Sequence, residues 1–381
     1  MSNKVPKIRF NGYSDAWVQR KFSDLYKKNL ERNKEQFGSD RTISIATMRF
    51  KEEGNGASED SLASYKVLRE GDVAFEGHTS KQFAFGRFVL NDIGDGIMSP
   101  RFTTLRPTQD MPIAFWKQYI HYEPIMRYPI VHSTKLGTMM NELVVDEFLN
   151  QSVLVPSVAE QLKIGQLLTL VDNLIAANQR KLDLLKEQKK GYLQKMFPKN
   201  GAKVPELRFA GFADDWEERK LGEISRMYQP ITITGNDLLP DGVPVFGANG
   251  FIGFFSEANH IDDQVTISAR GEGSGTPSYV HGPVWITGNS MVVNVDDFHI
   301  DKYFLFANLT ANSLKKFVTG GAQPQLTRDV LVKVPITLPN ADEQQKIGSF
   351  FKQLDDTIAL HQRKLDLLKE QKKGFLQNMF V

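Results

Sequence analysis

The chain has 381 residues, of which 41% are apolar and 24% are charged, and its formal net charge is +2. Such a composition is typical of a folded globular protein, and the length predicts two or three domains. The chain contains no cysteine, which excludes disulfides, thiolate metal sites and cysteine nucleophiles. Since the net charge is close to zero, contacts with nucleic acid have to come from local basic patches.

Neither a signal peptide nor a membrane span is predicted. The first ten residues carry Lys4, Lys7 and Arg9 and lack the apolar centre of a signal peptide. No segment approaches the roughly 18 apolar residues that cross a bilayer. We therefore expect a cytoplasmic protein without a membrane partner.

A short entry segment opens the chain and returns in its second half. Residues 5–10 (VPKIRF) correspond to residues 204–209 (VPELRF), and Trp17 corresponds to Trp216, each 199 residues later. Internal repeats of this kind indicate that one structural unit is used twice.

The region that follows the first entry segment, residues 23–141, contains short β-like runs between Gly, Pro and Asn turns. We predict strands at 42–45, 72–75 and 102–105 and a helix at 111–127. A mixed α/β domain is the expected result.

A long helix is predicted at 157–197. Ser157 is a suitable N-cap with Glu160 at N3, which predicts a capping box, and Pro156 and Pro198 bound the segment. Its apolar residues alternate in steps of four and three, which is the 3.5-residue period of a coiled-coil seam rather than the wider stripe of a surface helix. The seam residues are Ile164, Leu168, Val171, Ile175, Asn178, Leu182, Leu185, Lys189, Tyr192 and Met196.

The second half repeats this order after its own entry segment, residues 204–221. Strands are predicted at 243–246, 265–268, 284–286 and 291–295. A helix is predicted at 301–318, within a second mixed α/β domain. A second long helix begins near residue 340 with the seam Ile347, Phe351, Leu354, Ile358, His361, Leu365, Leu368, Lys372, Phe375 and Met379.

The two long helices are far more alike than the regions between them. Residues 179–191 (QRKLDLLKEQKKG) recur unchanged at 362–374, whereas residues 23–141 and 222–324 can hardly be aligned. Sequence drift after a gene duplication is the alternative explanation. Drift alone, however, should not leave one segment unchanged while it removes all similarity from the neighbouring segment. We therefore interpret the chain as one platform that holds two different recognition domains.

This interpretation divides the chain into four parts: 1–156, 157–200, 201–339 and 340–381. The shared seam favours pairing of the two helices with each other, each roughly 60 Å long at about 1.5 Å per residue. An antiparallel pair would relate the halves by a pseudo-twofold axis, although the pattern also permits a parallel pair. Leucines outside the seam either pack on the adjoining domains or bind partner subunits, namely Leu167, Leu170, Leu174 and Leu184.

Loop residues whose side chains suit the DNA grooves are the candidate contacts. Arginine binds guanine O6 and N7, and asparagine and glutamine bind adenine N6 and N7. For each residue alone, an ordinary turn role is the alternative, but polar loops on a β scaffold fit a recognition surface. In the first region the candidates are Arg49, Lys51, His78, Thr79, Ser80, Lys81, Arg87 and Arg101. In the second they are Asn249, Arg270, Ser274, Asn289, Gln323 and Gln325, together with Lys315 and Lys316 of the helix predicted at 301–318.

Motifs for catalysis are not found in the sequence. There is no Walker A motif, and the glycine-rich stretch at 271–275 lacks the spacing of a dinucleotide loop. No Pro-Pro pair exists for the catalytic loop of an amino-methyltransferase, and no nucleophile and base are recognisable. We therefore expect a chain with no catalytic or metal site.

Along essentially its whole length, the chain resembles the specificity subunits of type I restriction-modification systems. The resemblance rests on Arg9-Phe10…Trp17 and its repeat, the Pro-x₃-Glu-Gln-x-Lys-Ile start of each long helix, the turns Gly247–Gly250 and Thr287–Asn289, and the duplicated helix segment. It implies two target-recognition domains separated by an antiparallel coiled coil. Each domain would read one half of a split site in double-stranded DNA.

The resemblance further implies that the helix pair sets the gap between half-sites. It also implies that two modification subunits bind the chain and methylate adenine N6, and that restriction-motor subunits join them for cleavage. S-adenosylmethionine, ATP and Mg²⁺ would then be held by the partners and not by this chain. A coiled-coil adaptor with two protein-binding domains and no role on DNA is the alternative.

Overall fold

The computed structural model describes residues 5–381 except 35, 52, 55, 57, 138, 139, 200 and 322. Its contacts divide the chain into two compact units. The first unit comprises Met1–Asn178 and Lys364–Val381, and the second comprises Gln179–Arg363. Each unit thus contains one of the two variable regions together with pieces of both long helices.

The first variable region is a mixed α/β domain that leads into the first long helix. Its strands are β1 (Val18–Lys21), β2 (Tyr26–Lys28), β3 (Ile43–Ser44), β4 (Arg49–Phe50), β5 (Lys66–Leu68), β6 (Val73–Glu76), β7 (Arg87–Leu90), β8 (Gly96–Met98), β9 (Thr103–Pro107), β10 (Thr134–Leu136), β11 (Asn141–Leu143) and β12 (Ser152–Val155). Its helices are α1 (Phe22–Leu25), α2 (Glu59–Leu62), α3 (Ile113–Tyr119), α4 (Glu123–Val131), α5 (Val145–Asn150) and the long α6 (Val158–Lys195).

The second half of the chain also contains a mixed α/β domain that leads into a long helix. Its strands are β13 (Glu217–Lys220), β14 (Arg226–Tyr228), β15 (Val243–Gly247), β16 (Gly250–Phe255), β17 (Gln264–Ser268), β18 (Pro277–Val280), β19 (Trp285–Ile286), β20 (Ser290–Asn294) and β21 (Pro335–Leu338). Its helices are α7 (Lys302–Ala311), α8 (Arg328–Leu331) and the long α9 (Ala341–Met379).

Two predicted helices are shorter than expected. The helix predicted at 111–127 is wrong as one element, because α3 ends at Tyr119 and α4 begins at Glu123. Pro124 occupies the first turn of α4, where a missing N–H costs nothing but where continuation of a preceding helix is disfavoured. The helix predicted at 301–318 ends at Ala311, because Asn312 leaves helical geometry with φ −103° and ψ 72°.

Both units contain the same four-stranded antiparallel sheet. The strand orders are β2-β9-β6-β7 and β14-β20-β17-β18. Lys28 pairs with Leu105 in the first sheet, and Met227 pairs with Val293 in the second. Lys28 and Met227 are 199 residues apart, the offset of the entry segments, so the two sheets correspond strand by strand. The unlike sequences of the two variable regions therefore share this sheet, although their smaller sheets differ: β3-β4, β5-β8 and β10-β11 in the first region and β16-β15-β19 in the second.

The long helices are antiparallel within each unit. In the first unit, Leu168 near the start of α6 and Met379 at the end of α9 belong to one core, and Asp172 is paired with Lys372 at 2.7 Å. In the second unit, Lys189 is paired with Asp355 at 2.6 Å, and the Tyr192 ring lies 5.0 Å from the Phe350 ring. In each unit, residues later in α6 thus contact residues earlier in α9, which confirms the antiparallel arrangement.

A glycine in each long helix allows the variable domain to approach the helix backbone. A Cβ at Gly165 would lie 2.7 Å from the backbone nitrogen of Phe115 in α3. A Cβ at Gly348 would overlap Oδ1 of Asp301, the N-cap of α7. Because both contacts leave no room for a methyl group, Gly165 and Gly348 fix where α3 and α7 pack on the long helices.

We expect Gly165→Ala to lower the free energy of unfolding of the first unit by about 1–3 kcal/mol, as overpacking of a close contact does. Gly191→Ala is the matched control in α6, because no atom lies within 4 Å of its Cβ position. That change should raise stability by up to about 1 kcal/mol through helix propensity alone. Urea unfolding of both variants measures the difference, and equal effects of the two would contradict the assigned contact.

Candidate DNA-reading loops

Each variable domain is attached to its long helix by a buried arginine–glutamate pair. Arg9 Nε and Nη2 donate to the two carboxylate oxygens of Glu160 at 2.6 and 2.9 Å. Arg208 makes the same two bonds to Glu343, both at 2.7 Å. The glutamate side chains are 1% and 0% exposed, so their charges depend on the arginines. The hydrogen bonds to the carboxylates raise the pKa of both guanidinium groups.

The arginine–glutamate pairs differ from the capping box that the sequence predicts at the helix start. The backbone nitrogen of Glu160 donates to Ser157 Oγ at 3.3 Å, and that of Glu343 donates to Asn340 Oδ1 at 3.0 Å. The glutamate carboxylates, however, bind the arginines of the entry segments. The repeated Arg-Phe and Pro-x₃-Glu segments are therefore two sides of one interaction.

The residues beside each glutamate make further bonds to the variable domain. Gln161 Oε1 accepts from Trp116 Nε1 at 2.9 Å, and Gln344 Oε1 accepts from the backbone nitrogen of Asp301 at 3.3 Å. Both glutamine side chains also donate to the carbonyl of the preceding proline at 2.9 Å. This role was not predicted from the sequence, although the repeated Glu-Gln pair is a signal for it.

Each aspartate in the inter-helix ion pairs also binds a side chain of the variable domain. Asp172 Oδ2 accepts from Gln118 Nε2 in α3 at 2.7 Å. Asp355 Oδ2 accepts from the hydroxyl of Tyr303 in α7 at 2.9 Å. In each unit, one aspartate carboxylate thus binds both the other long helix and the variable domain. Asp172 and Asp355 lie 183 residues apart, the offset of the identical segments, so their equivalence was visible in the sequence.

Four loops of the second unit meet at the end of β17. Ser268 Oγ donates to the carbonyl of Ala248 in the β15–β16 turn at 2.5 Å. The backbone nitrogen of Ala269 donates to the carbonyl of Asn289 at 3.0 Å, and that of Gly271 donates to Pro324 at 2.9 Å. These bonds bring together the exposed candidates Asn249, Arg270, Asn289, Gln323 and Gln325.

The corresponding loops of the first unit meet at the end of β6. Asn141 donates its backbone nitrogen to the carbonyl of Gly77 at 3.0 Å, which ties the 134–143 hairpin to the β6–β7 loop. Arg101, which precedes β9, borders an open cleft of about 480 Å³ lined by Phe75, Thr103, Met140, Asn141, Glu142 and Leu143. The candidates His78, Thr79 and Lys81 are exposed on the β6–β7 loop.

Three candidates have structural partners in the described part of the chain. Arg87 Nε donates to Glu76 at 2.6 Å and its Nη2 donates to the carbonyl of Ala46 at 3.2 Å. Ser80 Oγ accepts from the backbone of Phe83 at 3.0 Å. Ser274 is 3% exposed, and its hydroxyl donates to the carbonyl of Pro324 at 2.9 Å. These side chains hold their loops in shape, and Ser274 is too deeply buried to reach a base.

The other candidates are exposed to solvent. In the first unit, Arg49 and Lys51 lie at the end of the β3–β4 hairpin. In the second unit, Lys315 and Lys316 lie in the 3₁₀ turn Leu314–Phe317. Side chains of this kind are available to a partner because they are exposed in the described part of their unit.

Seam and off-seam positions of the long helices differ in exposure. Every predicted seam residue, from Ile164 to Met196 and from Ile347 to Met379, is buried or partly buried. Leu167 packs against the core of the first unit. By contrast, Leu170, Leu174 and Leu184 are 57%, 42% and 52% exposed, so they are accessible to a partner.

Within the described residues, no group of three His, Asp or Glu side chains is arranged to hold a metal ion. The same part of the chain contains no helix that is long and apolar enough to span a membrane.

Several known proteins are similar to this chain in sequence. A family model for the type I restriction modification DNA specificity domain matches residues 213–370. The specificity subunit of the type I restriction enzyme MjaVIII of Methanocaldococcus jannaschii is 23% identical over 292 residues, which cover 68% of each chain. A chain described as the MjaX specificity subunit of the same organism is 21% identical, covering 97% of this chain and 94% of that one.

The fold is also similar to that of a solved structure. The S subunit of a type I restriction-modification system from M. genitalium matches with a TM-score of 0.69 and 16% identity, over 99% of both chains. The shared architecture is thus a pair of mixed α/β domains with long antiparallel helices. Residues 213–370 thus match the type I restriction modification DNA specificity domain, and the chain is similar in sequence and in fold to specificity subunits of type I restriction-modification systems.

Proposed function

We propose that each unit binds one half of a bipartite site in double-stranded DNA through the loops at the end of β6 or β17. The observation that carries this proposal is that two unlike sets of exposed polar loops stand at the same end of the same sheet. A shared sheet with different loops is what two readers of different half-sites require. Arginine, asparagine and glutamine are side chains that distinguish bases in the major groove.

The helices are suited to set the gap between the half-sites. At about 1.5 Å per residue, α6 and α9 are each roughly 57–59 Å long. They contain no internal proline, and buried seams and two Lys–Asp pairs hold them together. A rigid helix pair of this kind keeps two readers at a fixed separation along one duplex, as in dimeric DNA-binding proteins.

Partner subunits supply the chemistry in this proposal. Two modification subunits bind the chain and methylate adenine N6 with S-adenosylmethionine, and restriction-motor subunits that use ATP and Mg²⁺ join for cleavage. This chain holds none of these cofactors and is not itself an enzyme. The exposed Leu170, Leu174 and Leu184 are accessible apolar residues to which a partner helix could bind.

The test is the pattern of N6-methyladenine in a host that carries the modification subunits, with and without this chain. We expect one bipartite motif, two short specified halves around an unspecified gap, to be methylated only when the chain is present. Sequencing that detects the modified base measures this directly. A methylation pattern that does not depend on the chain would contradict the proposal and favour a protein-binding adaptor.

A further inference from the structure

The two sheets correspond residue by residue, which allows their loops to be compared. Phe75 in β6 pairs with Thr103 in β9, and Ile267 in β17 pairs with Met291 in β20. These pairs correspond because the offset between Leu105 and Val293, 188 residues, also separates Thr103 from Met291. Phe75 therefore corresponds to Ile267, and Thr103 corresponds to Met291. These positions mark the ends of the two sheets from which the loops emerge.

Two candidates occupy the same position relative to these reference points. Arg101 lies two residues before Thr103, and Asn289 lies two residues before Met291. The backbone of Asn289 accepts from Ala269, which is two residues beyond Ile267, so its place beside the end of β17 is fixed by hydrogen bonding. Arg101 and Asn289 are therefore equivalent positions that carry different side chains.

Both side chains are exposed and available for a ligand. Within the described residues, neither Arg101 nor Asn289 has a side-chain hydrogen bond or an ion pair with another protein group. The Arg101 guanidinium lies 5.3 Å from the centre of the Phe102 ring, which supports the side chain and leaves its donors free. Arg87 is different, because Glu76 and Ala46 occupy its guanidinium.

The chemistry of the two side chains suits different bases. An arginine guanidinium donates two hydrogen bonds to guanine O6 and N7, whereas an asparagine amide accepts from adenine N6 and donates to N7. Because the two sheets are alike, arginine at this position would favour guanine and asparagine would favour adenine. We infer that Arg101 selects a guanine in the half-site of the first unit and that Asn289 selects an adenine at the equivalent place in the other half-site.

This inference rests on the proposed function and assigns two of its specificity-determining residues. The experiment compares the methylated motif of the wild-type complex with those of Arg101→Ala and Asn289→Ala. We expect Arg101→Ala to reduce discrimination at one guanine of one half-site by about 10- to 100-fold, the range of a bidentate contact. Asn289→Ala should relax one adenine of the other half-site, and each variant should leave the opposite half-site unchanged.

Arg20→Ala is the matched control for the loss of an exposed arginine. Arg20 is exposed in β1, which pairs with β12 in a two-stranded sheet separate from the four-stranded sheet of β6. Its replacement should leave every position of the motif unchanged. Arg101→Lys keeps the charge but not the bidentate geometry, so it should retain a weakened guanine preference. Thermal melting of each variant checks that it folds.

The outcomes separate this inference from the proposed function. A wild-type motif that depends on the chain, with Arg101→Ala and Asn289→Ala each relaxing the expected base, supports both. The wild-type motif can depend on the chain while the variants methylate all sequences equally less. That result would overturn the residue assignment, since it is the behaviour of phosphate contacts. Relaxation at a base other than guanine or adenine would also overturn it. If the wild-type motif does not depend on the chain, the proposed function itself fails.

Discussion

Arg208→Met is expected to lower the free energy of unfolding of the second unit by about 3–5 kcal/mol, the cost of leaving a buried charge without its partner. The Glu343 carboxylate is 0% exposed and accepts two bonds from Arg208. With methionine at position 208, that carboxylate must either remain charged in an apolar setting or take up a proton. Denaturant unfolding, followed by a signal that reports on the second unit, measures the loss.

A double variant separates the loss of attraction from the cost of an unpaired charge. Arg208→Met combined with Glu343→Leu removes both charges, and such replacements by apolar residues are often close to neutral. We therefore expect the double variant to recover most of the stability that the single variant loses. A single variant that costs less than about 1 kcal/mol, or a double variant less stable than the single, would show that the pair does not hold the domain.

An exposed ion pair in the same helix provides the control. Lys352 lies 3.5 Å from Asp356, and the two side chains are 52% and 67% exposed. Pairs of this kind contribute about 0.5 kcal/mol or less because solvent screens them. Lys352→Met should therefore have a much smaller effect than Arg208→Met, although both changes remove one positive charge.

The sequence predicts the repeated parts of the fold well because their patterns are local. The 3.5-residue period identifies the helix seam, and the prolines around residues 157–197 bound a helix that the structure has at Val158–Lys195. Buried strands such as β17 are short apolar runs between turn residues, and they are predicted to within a residue or two. These signals depend only on neighbouring residues.

The shared sheet could not be predicted, because strand order is decided by contacts between residues far apart in the chain. β6 lies between β7 and β9, and β17 lies between β18 and β20, yet the regions that contain them can hardly be aligned. The break between α3 and α4 was also missed, since the apolar pattern continues across Tyr122. Only the pairing register then shows that Arg101 and Asn289 are equivalent.

The candidate loops show the same limit at the level of single residues. Composition alone identified polar loops, but it could not separate side chains that bind their own protein from those that are free. Arg87 and Arg101 are identical in type, and the positions of Glu76 and of the Ala46 carbonyl make the first a structural residue. Likewise, burial distinguishes Ser274 from its exposed neighbours.

Lengthening both helices by one heptad is expected to widen the gap in the DNA target without changing either half-site. Duplicating residues 176–182 in α6 and 359–365 in α9 keeps the seam in phase and adds about 10 Å to each helix. The insertion lies between Asp172 and Lys189 in α6, so both inter-helix ion pairs can still form. At about 3.4 Å per base pair, the added length corresponds to about three base pairs.

A flexible insertion of the same length is the matched control. Seven glycine and serine residues at the same two places interrupt the helices and leave the separation of the readers undefined. We expect this variant to lose methylation at a single gap length, even though the loops of both units are intact. The contrast tests whether helical rigidity, and not merely chain length, sets the gap.

The most direct test of the account is to sequence N6-methyladenine in cells that express the modification subunits with the heptad variant. We expect the two wild-type half-sites to be separated by a gap about three base pairs longer. Methylation of the wild-type gap, or a change in either half-site, would contradict the assignment of spacing to the helices and of sequence to the loops.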